Sequence, residues 1–318
     1  MFTRDLKARK YLKKATIVYI PPMEYTFMKV FLSRFYRKKV ITDVYAPHYD
    51  MTVNDEKIYT KKSIVARFYH WQDRYIIKKS TVSLFLNEPE KEYFLKQVNI
   101  KKYNNRMEVL PLYIPLKPQA EIRYFKKERE IINLCWTGTF INLQGVDKII
   151  DAAYELKKMN FRCKIYIIGP DKAAKQKWIK YVDEKGISDY VIFPNVWGDF
   201  QKWENFIVKN CDITLGIFGD SQKAKTVVAN KVIDGIAFKT PLITAESIGI
   251  DFYFKNNEIY VTKNDPISIA NKIIEVSNLN LDVIKKNIEN AYTIYEMNFS
   301  KEVFKKKFAN IVDSCLKN

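Results

Sequence analysis

The stretch that decides the reading is "LGIFGDSQKAKTVVANKVIDGIAFKTPLIT", residues 215–244. An apolar strand runs into a loop of small and charged residues, a lysine-bearing helix follows, and a second apolar strand closes the unit. Two strands joined through a helix predict a parallel pair with a crossover. The alternation extends along the chain. Short apolar or β-branched runs, "TIVYI", "KVITDVY", "STVSLFL", "MEVLPLYI", "INLCWTG", "KIYIIG", "YVIFPN", "DITLGIF", "PLITAE" and "EIYVT", are separated by segments of helical period. That pattern predicts an α/β chain built on parallel sheets. Its clearest helix is "GVDKIIDAAYELKKM", which gathers Val146, Ile149, Ile150, Ala153 and Leu156 on one face and its charges on the other.

A length of 318 residues favours two domains over one. The proline-punctuated segment "LPLYIPLKPQAEIRYFKKERE" separates four of the apolar runs from six, so the linker is expected near residues 112–130. The expected division is 1–118, 119–296, and a terminal helix over 297–318 that packs back toward the first domain. Beyond the last strand three helices are expected, with breaks near Asn278 and Asn298.

The balance of 54 Lys+Arg against 36 Asp+Glu, a net charge of +18, predicts an anionic partner: nucleic acid, an acidic lipid surface or a phosphorylated substrate. No nucleic-acid-binding module is recognisable, which argues against the first. Cys135, Cys163, Cys211 and Cys315 are widely spaced and read as reduced core thiols. No apolar run has the roughly 20 residues needed to span a bilayer. The charged start "MFTRDLKARKYLKK" lacks the apolar stretch of a signal peptide, so a cytoplasmic location is expected. Cations and aromatics interleave in "FMKVFLSRFYRKK", which suits either an ordinary helix with a basic outer face or peripheral contact with an anionic membrane.

In open parallel sheets, ligands sit beyond the carboxyl ends of the strands. Five of the nine glycines, Gly138, Gly169, Gly198, Gly219 and Gly249, fall just after predicted strands. Lys223, Lys225 and Lys231 bring positive charge to the start of a helix, where backbone N–H groups also favour anions, although a solvated basic face is the alternative for the first two. Asp234 follows Lys231 by three residues on the same helix face, placed to accept from ribose hydroxyls or to pair with Lys231. Neither GxxxxGK[ST] nor GxGxxG is present. With only His48 and His70, a multi-histidine metal site is excluded and no metal is expected. Chemistry must then rest on charge stabilisation.

"VVANKVIDGIAFKTPLIT" resembles the signature of the retaining glycosyltransferases of family 4, and "GTFINLQGVDKIIDAAYEL" is similar to the start of their donor domain. "VITDVYAPHYD" resembles, less closely, part of their acceptor domain. The resemblance implies an α/β, GT-B-like fold: two Rossmann-type domains with parallel sheets facing across a cleft, the N-terminal one incomplete. It implies transfer of a sugar from a UDP- or GDP-sugar to a glycan or lipid-linked acceptor, with retention, no further cofactor and no nucleic acid. A catalytically degenerate nucleotide-sugar-binding relative is the alternative.

Carried onto this sequence, the resemblance places Lys231, with Asn230 before it, at the donor diphosphate and Asp234 at the ribose. It sets the Gly138–Thr139–Phe140 turn and the Gly219–Lys223 loop against the phosphates, and the backbone around Asn195 to Gly198, with Trp197, beside the nucleobase. Thr226 stands where the family has its first carboxylate, and Thr139 and Gln144 lie near the position of its Arg/Lys pair. His48 is either a polar contact to a sugar or a loop histidine, flanked by Asp43 and Asp50.

Overall fold

The computed structural model describes residues 10–22, 26–103, 106–113, 130–171, 173–256 and 258–317. The basic residues 1–9 and the linker segment 114–129 lie outside the described residues. Each of the ten apolar runs forms a strand. β1 (Ile17–Ile20), β2 (Lys39–Asp43), β3 (Val82–Phe85) and β4 (Arg106–Val109) make one sheet in the order β1-β2-β3-β4. β5 (Ile132–Thr137), β6 (Cys163–Ile168), β7 (Val191–Ile192), β8 (Ile213–Leu215), β9 (Leu242–Ala245) and β10 (Tyr260–Thr262) make a second, in the order β10-β9-β8-β5-β6-β7. Every pairing is parallel. Leu134, Trp136, Ile165, Ile167, Ile213 and Ile243 are buried in one core and Cys135, Ile168 and Leu242 in another, as a sheet covered on both faces requires.

Among the described residues, the α-helices of six residues or more are α1 (Thr26–Phe35), α2 (Ile64–Lys79), α3 (Glu88–Gln97), α4 (Val146–Lys158), α5 (Ala173–Glu184), α6 (Phe200–Asn210), α7 (Asn230–Ala237), α8 (Ile248–Tyr253), α9 (Pro266–Ser277), α10 (Leu281–Asn298) and α11 (Lys301–Lys317). Several begin where side-chain oxygens take up free N–H groups: Ser63 accepts from Ala66 N, Asn87 from Glu90 N, and Asp265 from Ser268 N. The face expected for α4 is the one it buries, through Val146, Ile149, Ile150, Ala153 and Leu156. The four cysteines are free and buried, and burial pushes the Cys163 thiol up to about 12.

Two compact units divide the chain: Met1–Leu112 with Glu302–Asn318, and Tyr113–Lys301. The first therefore takes its last helix from the far end of the sequence. Ile311 and Cys315 of α11 share a core with Ile41, Val82, Leu84 and Leu110, and Lys39 Nζ donates to the Cys315 carbonyl at 2.8 Å.

Strand order in the second unit fixes where a ligand belongs. The chain winds outward from β5 through β6 to β7, then returns to lay β8, β9 and β10 on the other side. Winding reverses between β5 and β8, so their loops part there and leave a crevice at the carboxyl ends. The β5 and β8 loops also lock together behind it. A Cβ on Gly219 would lie 2.1 Å from the Leu143 carbonyl oxygen, and one on Gly145 would lie 2.2 Å from the Phe218 carbonyl carbon.

Gly145 and Gly186 have nearly the same positive φ, +65° and +63°, but a Cβ on Gly186 would meet nothing within 4 Å. Gly186→Ala should therefore cost about 1 kcal/mol, the left-handed penalty alone. Gly145→Ala should cost more than about 3 kcal/mol, because backbone must also move. Urea unfolding of both variants checks the difference; equal losses would mean the two loops are not interlocked.

Candidate active site

The crevice holds a cavity of about 450 Å³. The end of β5 supplies one wall through Thr137, Gly138 and Thr139, and α7 supplies another through Asn230, Lys231 and Asp234. Trp197, Gly198, Asp199 and Trp203 close a third side, and Gln144 projects from the short 3₁₀ turn Asn142–Gln144. Gly138 has no alternative: a Cβ there would sit 2.4 Å from the Trp136 ring and 2.5 Å from Gln144 Oε1.

The turn after β5 is already hydrogen-bonded. Thr139 N and Phe140 N both donate to Gln144 Oε1, at 2.9 and 3.1 Å. Two backbone donors that the sequence assigned to phosphate are thus met by a neutral side chain of the same loop. Phe140 adopts φ +66° and is buried beside Trp136, ring centroids 5.8 Å apart.

Lys231 is the opposite case. Its side chain is 7% exposed, and Nζ has no hydrogen-bond partner although it carries several N–H donors. Nζ lies 3.9 Å from the centroid of the fully buried Trp136 ring. A cation over an indole gains about 2 kcal/mol when desolvated, whereas taking an ammonium out of water costs several. Desolvation wins, and burial holds the Lys231 amine well below its ordinary range, the Asp234 carboxylate only partly opposing it. Burial likewise pushes the Asp234 carboxyl up to about 7, with Lys231 pulling the other way. The cavity wall therefore sets a weakened base and a weakened acid side by side, each pushed toward its neutral form by burial.

The sequence-derived residues separate on inspection. Gly138, Thr139, Trp197, Asn230, Lys231 and Asp234 meet at the cavity. Asn195 is exposed and outside its lining, and Lys223 lies in the turn beyond β8, also outside it. Gly219 serves the loop interlock. Thr226 is buried and its hydroxyl donates to the Lys223 carbonyl at 3.0 Å. Trp203 and Asp199 reach the cavity without having been singled out, and Gln144 reaches it from the turn after β5. The signal for Trp203 was present: Asp199 caps α6 by accepting from Lys202 N, which fixes the tryptophan one turn on.

His48 belongs to the other unit. Asp73, which sequence reading overlooked, holds its segment by accepting from His48 N at 3.1 Å and Tyr49 N at 2.8 Å. Asp43 accepts from the Tyr19 hydroxyl instead, and Asp50 from Tyr93, so neither flanking acid bonds the imidazole among the contacts described. His48, Asp43 and Asp73 border a cavity of about 20 Å³, room for one water. Burial pushes the Asp43 carboxyl up to about 6. No group of three or more His, Cys, Asp or Glu able to hold a metal ion occurs among the described residues.

No protein-family model and no curated protein sequence matches the chain. Solved structures do. Sucrose-phosphate synthase from Thermosynechococcus elongatus is similar over 99% of this chain and 77% of its own, with TM-score 0.76 at 12% identity. The chain has the GT-B fold. HepE of Anabaena, solved with UDP-glucose, shares it over 97% of this chain and 81% of its own (TM-score 0.70, 10% identity). So does a UDP-forming trehalose-phosphate synthase from Burkholderia xenovorans, solved with glucose-6-phosphate, over 93% and 74% (TM-score 0.68, 9% identity). These GT-B neighbours are glycosyltransferases.

Two stability effects follow from the cavity's ionisation. Lys231→Met removes buried, unbonded N–H donors and should stabilise the chain by about 1–3 kcal/mol in urea unfolding at pH 7; a loss of stability would mean the amine has a partner. The Asp234 carboxyl is raised from 3.8 to about 7 on folding. Between those values the folded chain binds the proton more than the unfolded chain, so this group's contribution falls as pH rises and stays low above 7. Asp234→Asn removes the fall, and its stability relative to wild type should increase from pH 5 to pH 8.

Proposed function

We propose that this chain is a glycosyltransferase that takes its sugar from a UDP- or GDP-sugar and delivers it, with retention, to an acceptor hydroxyl in polysaccharide or glycolipid synthesis. The observation that carries this reading is Lys231: a buried amine without a hydrogen bond, in the wall of a cavity at the switch point of a doubly wound sheet. Such an amine is costly to the fold, and a diphosphate offset by it would recover the cost. As the bond to the sugar breaks, charge grows on the leaving diphosphate, and a cation in a water-excluded site stabilises it most where solvent screens least.

The other residues take roles around it. The N-terminus of α7, at Asn230, faces the same anion. Asp234 accepts from ribose hydroxyls, and the 195–198 segment borders the nucleobase, with Trp197 its side chain in the cavity. Because Gln144 occupies the Thr139 and Phe140 N–H groups, the turn after β5 contributes shape and the Thr139 hydroxyl in place of amide donors.

A second reading has its own support. Thr226 spends its hydroxyl on its own turn and stays outside the cavity, so the carboxylate contact that the family resemblance implies at this position is absent. A chain that binds nucleotide sugar without turning it over would look like this.

Calorimetric titration of UDP and GDP tests the first step. One of them should bind, and Lys231→Met should weaken that binding by about 30-fold or more, on the order of 2 kcal/mol for a lost charge-assisted contact. No heat with either nucleotide, or equal affinity in the variant, would remove the basis of the proposal. Above pH 7, where Asp234 is ionised, a ligand that charges the buried Lys231 amine should also bring proton uptake on binding. Titrations in buffers of different ionisation enthalpy report that uptake, which should vanish in Lys231→Met. Release of sugar from a bound UDP- or GDP-sugar to any acceptor then separates enzyme from binding protein.

A further inference from the structure

On the N-terminal unit, α1 packs against α2, and both turn large apolar side chains to solvent. Phe31 is 46% exposed and Phe35 70%; on α2, Ile64 is 84% exposed, and Phe68 and Trp71 are each 49% exposed. Positions 64, 68 and 71 follow the spacing of a single helix face, as do 31 and 35. The two faces form one surface. Phe27 touches both Phe31 and Trp71, with centroids 6.5 and 5.2 Å apart, and Trp71 touches Phe68 at 5.9 Å. A contiguous exposed ridge of this kind covers no core and marks an interaction site.

Charge identifies what covers it. Residues 26–42 and 57–79, which contain both helices, carry twelve Lys and Arg and a single acid, Asp73. That acid is 2% exposed, with both oxygens on the backbone N–H groups of His48 and Tyr49. Within these two segments the exposed charges are thus all positive, among them Arg34, Lys61, Lys62 and Arg67. A polyanion alone would use the cations and leave Ile64 unexplained. An acyl–headgroup boundary uses both, with apolar side chains below the phosphates and Lys/Arg among them.

We infer that the α1–α2 face docks on an anionic phospholipid surface, with Phe35 and Ile64 entering the headgroup boundary. No helix among the described residues is long and apolar enough to cross a membrane, so the contact is peripheral. The face lies in the N-terminal unit, and the inference does not rest on the nucleotide reading.

Co-sedimentation of the full chain with vesicles is the test. Wild type should partition onto vesicles of mixed phosphatidylglycerol and phosphatidylcholine and not onto phosphatidylcholine alone. Phe35→Glu with Ile64→Glu should lower partitioning about tenfold or more, with an unchanged thermal unfolding midpoint, since neither side chain is in a core. Lys62→Gln with Arg67→Gln should weaken it and flatten its salt dependence. Absence of partitioning, equal partitioning onto neutral vesicles, or an unaffected Phe35→Glu/Ile64→Glu variant would overturn the inference. So would equally strong binding to duplex DNA that this variant retains, which would reveal plain attraction to polyanions.

Discussion

The indole of Trp136 is the piece on which the second unit depends. It is fully buried at the end of β5, and its Nε1 donates to the Gly216 carbonyl at 3.1 Å, joining the β5 and β8 ends across the point where the sheet's winding reverses. Its ring forbids any side chain at residue 138 and gives Lys231 a surface to lie on. One side chain therefore sets the spacing of the strands, the shape of the turn above them and the position of the amine. The cavity is open because the loops part, and it stays in register because the indole does not let them part further.

Around that anchor the second unit trades stability for chemistry. A buried amine and a buried carboxyl that shift each other only partly back toward their charged forms are poor choices for a core. Their placement makes sense at a wall that a charged, hydroxyl-rich ligand completes. The turn after β5 shows the contrary strategy, since Gln144 satisfies its donors internally. The two walls differ in kind: one is finished without a ligand and the other is not.

Much of this was readable from residue order. Strands and their helices followed from the alternation of apolar runs with helical period, because buried parallel strands must be apolar throughout and amphipathic helices must repeat every three to four residues. Lys231 and Asp234 stood out because charge inside an otherwise apolar helix, just past a strand, has few structural uses. What was not readable depended on side-chain reach. Nothing local shows that Gln144 folds back onto Thr139 and Phe140, that Asp73 holds a loop 24 and 25 residues away, or that Asn195 points out while Trp197 points in. Nor does residue order reveal that two helices separated by an intervening strand join their exposed rings into one ridge.

The return of α11 to the first unit orders the chain in time. The second unit is one uninterrupted span and has all its parts once residue 301 is made. The first has its four strands by residue 109 yet lacks Ile311 and Cys315, which seal Ile41, Val82, Leu84 and Leu110. During synthesis those four side chains stay unsealed by α11 while nearly two hundred further residues are added and folded. The half of the protein made first is thus the half completed last, and its apolar sheet is the surface a nascent-chain chaperone would have to guard.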